Sequence, residues 1–198
     1  MANGKTLKVR FLNGTDFVQQ KVIFYAKKWE NYANIKFEFI SAGDAEIRVS
    51  FTPNIGSWSQ VGTDALINTN QNSPTMNFGW FDENTSEPDF RSTTIHEFEH
   101  SLGCIHEHQS PPADIHWNKP VVYDYYRTTQ TPPWSQQKVD DNVFKKFTQA
   151  EITNSNFDRN SIMLYPIPPE FTTDGFSVGW NTDLSPIDIA FIQSNYPK

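Results

Sequence analysis

The fold of this chain is decided by residues 95–108, which read I-H-E-F-E-H-S-L-G-C-I-H-E-H. His96 and His100 are four residues apart, so on an α-helix their imidazoles leave the same face about one turn apart. Two such rings can hold one cation from two sides. Glu97 lies on the flank of that face, roughly 80° round the helix, where it can reach a water on the metal without being a ligand. The spacing therefore predicts a helix that presents a metal site.

The residues after this predicted helix supply a third nitrogen ligand. Gly103 can end the helix in the left-handed conformation that suits glycine, so that the chain turns back and His106 meets the same cation. Three neutral imidazoles with one open position are typical of catalytic zinc. A structural zinc site usually recruits thiolates, and Cys104 is the only cysteine of the chain. Histidines aligned by chance are the remaining alternative, and the extended spacing H-E-x-x-H-x-x-G-x-x-H argues against them.

Two separate motifs link this sequence to a known family. The run at residues 95–108 resembles the zinc-binding signature of the metzincin metalloendopeptidases, and Glu107, directly after the third histidine, makes it most similar to the astacin family. Residues 161–165 read S-I-M-L-Y and fit the methionine turn of that family, which has the form S-x-M-x-Y. The resemblance is sharp at these two motifs and looser in the order of elements across most of the chain.

The resemblance implies a zinc-dependent endopeptidase that hydrolyses peptide bonds in proteins with a metal-activated water. Three histidines would bind Zn2+, namely His96, His100 and His106. Glu97 would act as the general base that takes the proton of the water and as the acid that passes it to the leaving amine. Tyr165 would be a fifth, displaceable zinc ligand that moves to hydrogen-bond the transition state; the alternative is a buried tyrosine with a satisfied hydroxyl group. Met163 would form an apolar floor under the imidazoles.

The neighbours of the motif have roles that the sequence leaves open. The residue at Glu107 pairs in astacins with the amino terminus freed by propeptide removal; because the mature start is unknown, we expect Glu107 to orient the site through hydrogen bonds instead. Glu99 departs from related motifs, which often carry a small or apolar residue at this position. Its carboxylate is either solvated or bonded to a loop, or the residue is an introduced substitution, and it could lower activity. His108 and His116 lie outside the motif and are expected at the surface or in local hydrogen bonds. Cys104 is expected to be a small buried residue.

The wider sequence predicts an α+β protein with a metzincin-like zincin fold. An N-terminal lobe, about residues 1–103, would contain a twisted mixed sheet with two long helices. A C-terminal lobe, about residues 104–198, would be mostly irregular or helical, with the active-site cleft between the lobes. Together they would form one catalytic domain over residues 1–198, a length that can bury a sizeable core.

Local patterns place the elements of the N-terminal lobe. Alternation of apolar and polar residues predicts strands in four segments, residues 7–11, 35–39, 47–51 and 75–81. Arg48 falls on the polar face of the third strand. Residues 52–73 are rich in Ser, Thr, Asn and Gly, and this composition predicts a loop. Asp16 and Gln19 have the spacing of a capping box that opens a helix. The metal helix is predicted to run over Ser92–Leu102.

The C-terminal lobe has fewer signals. Helical spacing predicts a helix over Pro120–Arg127 and another that begins near Ser135. The last helix has a defined start, because Ser185 suits the N-cap, Pro186 the first helical position and Asp188 the third. We expect this helix to pack on the C-terminal lobe.

The substrate interpretation depends on the segment Thr75–Gly79. In the metzincin resemblance its place before the metal helix belongs to the edge strand above the cleft, and an extended peptide can add to an edge as another strand. The alternative is an ordinary strand whose edge is covered by a loop. Two other functions also remain as alternatives: a catalytically silent zinc- or peptide-binding domain, and a zinc hydrolase of a small molecule.

Composition excludes several partners. The net charge is −7, from 16 basic and 23 acidic residues, so nucleic acid and anionic membranes are poor partners. No apolar run approaches the roughly eighteen residues that span a bilayer. An aromatic content of 15% argues against disorder. These features indicate a folded protein, and the family resemblance implies that it acts on proteins or peptides; we expect it to be a monomer.

The compartment is indicated only by the resemblance, which implies secretion. A single cysteine cannot form an internal disulfide, whereas paired cysteines usually brace astacin domains. The opening residues M-A-N-G-K lack the apolar core of a secretion signal. A cytoplasmic protein and a mature or trimmed secreted form are therefore both compatible with the sequence.

Overall fold

A computed structural model describes residues 1–153 and 156–198, whose contacts divide them into two compact units. The first unit comprises Met1–Cys104 and Thr182–Lys198, and the second comprises Ile105–Asn181. Within the described residues, no helix combines the length and the apolar character that a membrane crossing needs.

The first unit is built on a mixed sheet, as the sequence predicted, but the sheet has five strands rather than the four predicted segments. Its strands are β1 (Thr6–Phe11), β2 (Lys36–Phe39), β3 (Ile47–Ser50), β4 (Trp58–Ser59) and β5 (Met76–Asn77). Their spatial order is β2-β1-β3-β5-β4, with β4 antiparallel to β5 and the other neighbours parallel. Leu7 and Val9 of β1 are fully buried and alternate with exposed residues, which is the pattern of a strand with one face on the core.

Strand β3 differs from its prediction because all four of its residues are buried. Arg48, predicted on the polar face, is only 1% exposed. Its guanidinium group donates hydrogen bonds to the backbone carbonyls of Ala45, Asn68 and Ser73, at 2.9, 2.7 and 2.7 Å. A buried cation is tolerated when its donors are satisfied, and here those bonds attach the long loop before β5 to the sheet.

The prediction that Thr75–Gly79 forms an edge strand was wrong. Strand β5, within Thr75–Gly79, lies between β3 and β4, so the edge belongs to β4 in the segment predicted to be loop. Two-residue strands are too short to show alternation, which is why the sequence signal was misleading. The Asn77 side chain holds this edge, because its Nδ2 donates to the carbonyls of Gly56 and Thr52 at 2.7 and 3.1 Å.

Helix α1 (Asp16–Ala26) buries an apolar stripe of Val18, Val22, Tyr25 and Ala26 and continues into a 3-10 helix at Lys27–Asn31. The predicted capping box is absent, because the N-cap residue makes no side-chain hydrogen bond to the first turn. Thr15 is the N-cap, and the Gln19 side chain donates instead to the carbonyls of Asn13 and Gly14, both at 3.1 Å. Asp16 is the first helical residue, where its charge favours the helix N-terminus.

Helix α2 (Glu87–Ser101) begins five residues before the predicted start at Ser92. Its N-cap is Ser86, whose hydroxyl oxygen accepts from the Asp89 N–H at 3.3 Å, and a proline lies in the first turn. Both features are common at helix starts, so the local signal was present in the sequence. The additional turn gives the metal helix a full length of 15 residues.

The last helix, α5 (Pro186–Asn195), has the predicted start but not the predicted partner. Ser185 and Asp188 form a reciprocal capping box with two bonds of 2.9 Å. The helix belongs to the first unit, where the Tyr196 hydroxyl donates to the Leu102 carbonyl at 2.5 Å. The expectation that it packs on the C-terminal lobe was wrong, because apolar spacing reveals a buried face without revealing what covers it.

The second unit is irregular and helical, as predicted. It contains α3 (Lys119–Thr129) and α4 (Gln136–Val139), and α4 runs directly into a π-helical turn at Asp140–Phe144. Ser135 caps α4, near the predicted start. The buried apolar cluster of this unit consists of Val122, Val139, Val143, Leu164, Ile167 and Phe171.

Candidate active site

Helix α2 positions the first two candidate ligands. The rings of His96 and His100 lie with their centroids 4.8 Å apart and nearly perpendicular, on one face as the spacing predicted. The opposite side of the helix is anchored in the core by Ile95 and Phe98, which are fully buried. The Phe98 ring meets the Phe37 ring edge-on at 4.9 Å. A helix packed in this way holds the two imidazoles at a fixed separation.

The turn after α2 sets the proton position on His100. Gly103 has a φ of +106°, the conformation expected there for glycine. The next residue, Cys104, presents its backbone carbonyl 2.8 Å from His100 Nδ1. Because a carbonyl only accepts, Nδ1 carries the hydrogen and Nε2 keeps its lone pair for a metal.

The third histidine completes a metal-binding group. The ligand atoms of His96, His100 and His106 all lie within 4.8 Å of one another, and in the described parts of the chain no other set of three or more ligand-type residues does so. His100 is buried, whereas His96 and His106 are partly exposed. Three imidazole nitrogens without a thiolate fit Zn2+ with a position left for water. The residues present are therefore positioned to bind zinc.

Glu97 lies beside this group in an environment that suits proton transfer. Its side chain is 5% exposed, and its Oε2 atom makes no hydrogen bond within the described residues. Burial raises the pKa of Glu97 from its ordinary value of 4.5 to about 8. A carboxyl group with a spare oxygen and a pKa near neutrality can accept a proton and return it.

The methionine turn is bonded to the end of the zinc motif. Ser161 shapes the turn, because its hydroxyl oxygen accepts from the Met163 N–H at 3.0 Å. Met163 is buried, and its carbonyl accepts from the Glu107 N–H at 3.0 Å. The Glu107 carboxylate accepts in turn from the Asp158 N–H at 2.7 Å. The residue that follows the third histidine is therefore bonded to the middle of the methionine turn and to Asp158, just before it.

Tyr165 lies next to the third candidate ligand. Its ring centroid is 4.2 Å from that of His106 and 4.9 Å from that of His108, and the tyrosine is partly exposed. This location is compatible with the ligand role that the family resemblance implies.

His108 and Gln109 were not recognised as part of the site. His108 is only 1% exposed, so a surface position was wrong, and its Nε2 atom lies 3.1 Å from the Asn142 carbonyl. Gln109 is buried with its Oε1 atom 3.3 Å from His106 Nδ1. Its spacing of three residues from His106 was the available sequence signal.

The other neighbours of the motif have separate outcomes. His116 is exposed, as expected, and its Nδ1 atom lies 3.0 Å from Asp174 Oδ2. Glu99 is 2% exposed, which excludes the solvated alternative. Cys104 is partly exposed rather than buried.

Comparisons with known proteins agree with this geometry. The family model that matches the chain is that of Astacin, a peptidase family, and the match covers residues 4–196. A structure of myroilysin is 47% identical, with 100% of this chain and 95% of that chain covered and a TM-score of 0.95. A crystal structure of myroilysin, also 47% identical, covers 100% and 86% of the two chains with a TM-score of 0.77. No match emerged from the comparison with curated proteins.

A more distant structure shares the fold. High choriolytic enzyme 1, a hatching enzyme zinc-protease from Oryzias latipes (Medaka fish), is 16% identical, with 99% and 92% of the two chains covered and a TM-score of 0.63. The family match spans nearly the whole chain, and the three histidines that carry the family signature are positioned for zinc. The chain therefore belongs to the astacin family and is a zinc metalloendopeptidase.

Proposed function

We propose that residues 1–198 act as one catalytic domain in which Glu97 transfers the protons of peptide hydrolysis and Tyr165 assists as a displaceable ligand. The observation that carries this proposal is the buried Glu97 carboxyl group, with a spare oxygen, directly after the metal-site residue His96. A purely structural metal site has no need of such a group.

The metal would be held by His96, His100 and His106, with Tyr165 as the fifth ligand. When bound there, zinc lowers the pKa of a water toward neutrality and polarises the scissile carbonyl. Glu97 takes a proton from the attacking water and delivers it to the leaving amine. In the metal-free protein burial raises the pKa of Glu97 to about 8, and the positive charge of bound zinc would lower it again, toward the pH range in which the group can act as base and then as acid.

Tyr165 has a second role in this proposal. The Tyr165 ring lies 4.2 Å from the His106 ring between centroids and the residue is partly exposed, and this location supports a group that moves between the metal and the substrate. Once displaced, its hydroxyl group donates a hydrogen bond to the substrate oxygen that becomes negatively charged in the transition state.

The substrate would bind as an extended strand beside β4. Strand β4 lies at the edge of the sheet and pairs with β5 on its other side. It also contacts α2, which carries His96 and His100. A peptide that pairs with the backbone of Trp58 and Ser59 is held by main-chain bonds, whatever its own side chains are.

The protein would be a secreted monomer. Secretion is supported by the family, whose members are typically secreted proteases. The single cysteine excludes an internal disulfide, so stability outside the cell would depend on the apolar cores of the two units. Fractionation of the producing cells and the molar mass in solution test these two statements.

A peptide library tests the catalytic proposal. Wild-type protein is expected to cut long peptides internally and to spare dipeptides, and a chelator should abolish the cuts until zinc is restored. Glu97→Gln keeps the shape of the side chain but cannot take the proton, so we expect kcat to fall about 10²- to 10⁴-fold while zinc content is unchanged. Mass spectrometry identifies the cut sites. Undiminished cleavage by zinc-loaded Glu97→Gln would remove Glu97 from the mechanism.

A further inference from the structure

The segment that follows the third histidine is attached to the end of a distant helix. The π-helical turn Asp140–Phe144 closes with a bond of 2.7 Å from the Lys145 N–H to the Asp140 carbonyl. Carbonyls in the last turn of a helix lack partners within the helix and need donors from elsewhere. The Asp141 carbonyl accepts from Gln109 Nε2 at 3.0 Å, and the Asn142 carbonyl lies 3.1 Å from His108 Nε2. Two side chains after the third histidine therefore cap this turn.

The bond to Asp141 determines which way the Gln109 amide faces. A carbonyl only accepts, so the amino group of the amide must point toward Asp141. The amide oxygen, Oε1, is then left facing His106 Nδ1 at 3.3 Å. An amide oxygen also only accepts, so the hydrogen of the His106 ring belongs on Nδ1. The lone pair of Nε2 is thereby left for a metal.

The backbone between His106 and Gln109 is fixed as well. The Gln109 N–H donates to the His106 carbonyl at 3.0 Å, and the Gln109 carbonyl accepts from the Phe147 N–H at 2.9 Å. Lys146 Nζ donates to the Ser110 carbonyl at 2.5 Å. Gln109 itself is 6% exposed, so water does not compete freely for its amide.

A stacked ring limits the remaining freedom of His106. The His108 ring lies 5.2 Å from the His106 ring, with only 15° between their planes. His108 is held by its bond to Asn142, and it also meets the Trp117 ring at 6.2 Å. Rotation of the His106 ring would break the contact with Gln109 on one edge and the stacking on its face.

We propose that Gln109 is a positioning residue that fixes the ring orientation and tautomer of His106, so that the third ligand is ready for zinc. It acts through His106 and touches neither substrate nor metal. The inference rests on the proposed function, because it assumes that His106 binds the zinc.

Zinc affinity of the whole chain, measured by competition with a chromophoric chelator, tests this role. Gln109→Met keeps the length of the side chain but removes the acceptor, and loss of such a partner typically costs 10- to 100-fold in metal affinity. Gln109→Glu keeps an acceptor for His106 Nδ1 but cannot donate to Asp141. We therefore expect Gln109→Glu to retain most of the affinity while its thermal stability falls.

The matched control is Gln137→Met. Gln137 also donates to Asp141, but to the exposed side-chain oxygen at 3.0 Å, and we expect this variant to bind zinc as the wild type does. Unchanged zinc affinity in Gln109→Met would overturn the proposal. So would an equal loss in Gln109→Met and Gln109→Glu, because the bond to Asp141 would then be the only one that matters.

The tautomer of His106 provides a second test that needs no variant. Nitrogen-15 NMR of the ring in metal-free wild-type protein is expected to show the hydrogen on Nδ1, and a hydrogen on Nε2 would overturn the proposal. Failure of the proposed function is distinguishable. A wild type that binds zinc without cutting peptides refutes the catalytic roles, whereas a wild type that cuts peptides but tolerates Gln109→Met refutes this inference alone.

Discussion

The two stretches that supply the candidate zinc ligands are held by different forces. Helix α2 is anchored by apolar burial, with Phe98 edge-on to the Phe37 ring. The stretch after His106 is held by polar bonds, from the Glu107 N–H to the Met163 carbonyl and from the Gln109 side chain to Asp141. Apolar packing fixes where a helix lies, whereas a directional hydrogen bond fixes how a side chain is turned. The site combines a ligand pair whose helix is placed by packing, with the His100 ring oriented by the Cys104 carbonyl, and a third ligand placed by polar contacts.

The largest expected change in stability concerns the packed stretch. Phe98→Ala removes a fully buried ring from between α2 and the sheet, and such substitutions cost about 3–5 kcal/mol. Urea unfolding of zinc-free protein measures the loss. The control is Phe24→Ala on α1, where the ring is 64% exposed and the change should stay within about 0.5 kcal/mol. Equal effects of the two variants would contradict the view that burial holds α2.

A smaller effect is expected in the polar stretch. Glu107→Ala removes the acceptor of the Asp158 N–H, and an unsatisfied buried donor costs about 1–3 kcal/mol. Glu151→Ala is the matched control, because the Glu151 carboxylate accepts from the Thr148 N–H at the same 2.7 Å but on the exposed surface. Water replaces that acceptor, so the control should lose little stability. If both variants unfold at the same urea concentration, the polar bonds of Glu107 do not hold this stretch.

The smallest expected effect, counted per pH unit, is the pH dependence of the free energy of unfolding of the metal-free protein. Burial raises the pKa of Glu97 from 4.5 to about 8, so between these values the unfolded chain is ionised while the folded group keeps its proton. The folded state then binds about one more proton than the unfolded state, and the free energy of unfolding falls as pH rises, by at most about 1.4 kcal/mol per pH unit. We expect Glu97→Gln to unfold with a flatter pH dependence between pH 5 and 8. Parallel dependences in the two proteins would show that Glu97 does not titrate in this range.

The same contrast explains how far the sequence could predict the molecule. The positions of His96, His100 and Gly103 follow from helical periodicity and from the backbone preference of glycine, both of which are local. The capping box at Ser185 is equally local and was predicted correctly. Where three or four neighbouring residues determine the structure, their pattern was sufficient.

Features that depend on distant partners were not predicted. The role of Gln109 requires the backbone carbonyl of a residue 32 positions away. Every residue has such a carbonyl, so the sequence does not indicate which one accepts the bond. The edge strand β4 exists because Asn77 and the neighbouring loop hold two residues beside β5. The partner of α5 was misassigned for the same reason, since its apolar face fits any apolar surface. These are cases in which tertiary contacts decide among locally equivalent choices.

Elemental analysis of zinc in the purified protein tests the central claim most directly. The three histidines, held by packing on one side and by polar bonds on the other, are expected to bind one zinc ion per chain. His100→Ala and His106→Ala should each abolish binding of this zinc ion. His116→Ala, at an exposed position, should leave it bound. Zinc retained at one ion per chain in His106→Ala, or no zinc uptake by the wild type on titration, would contradict the account.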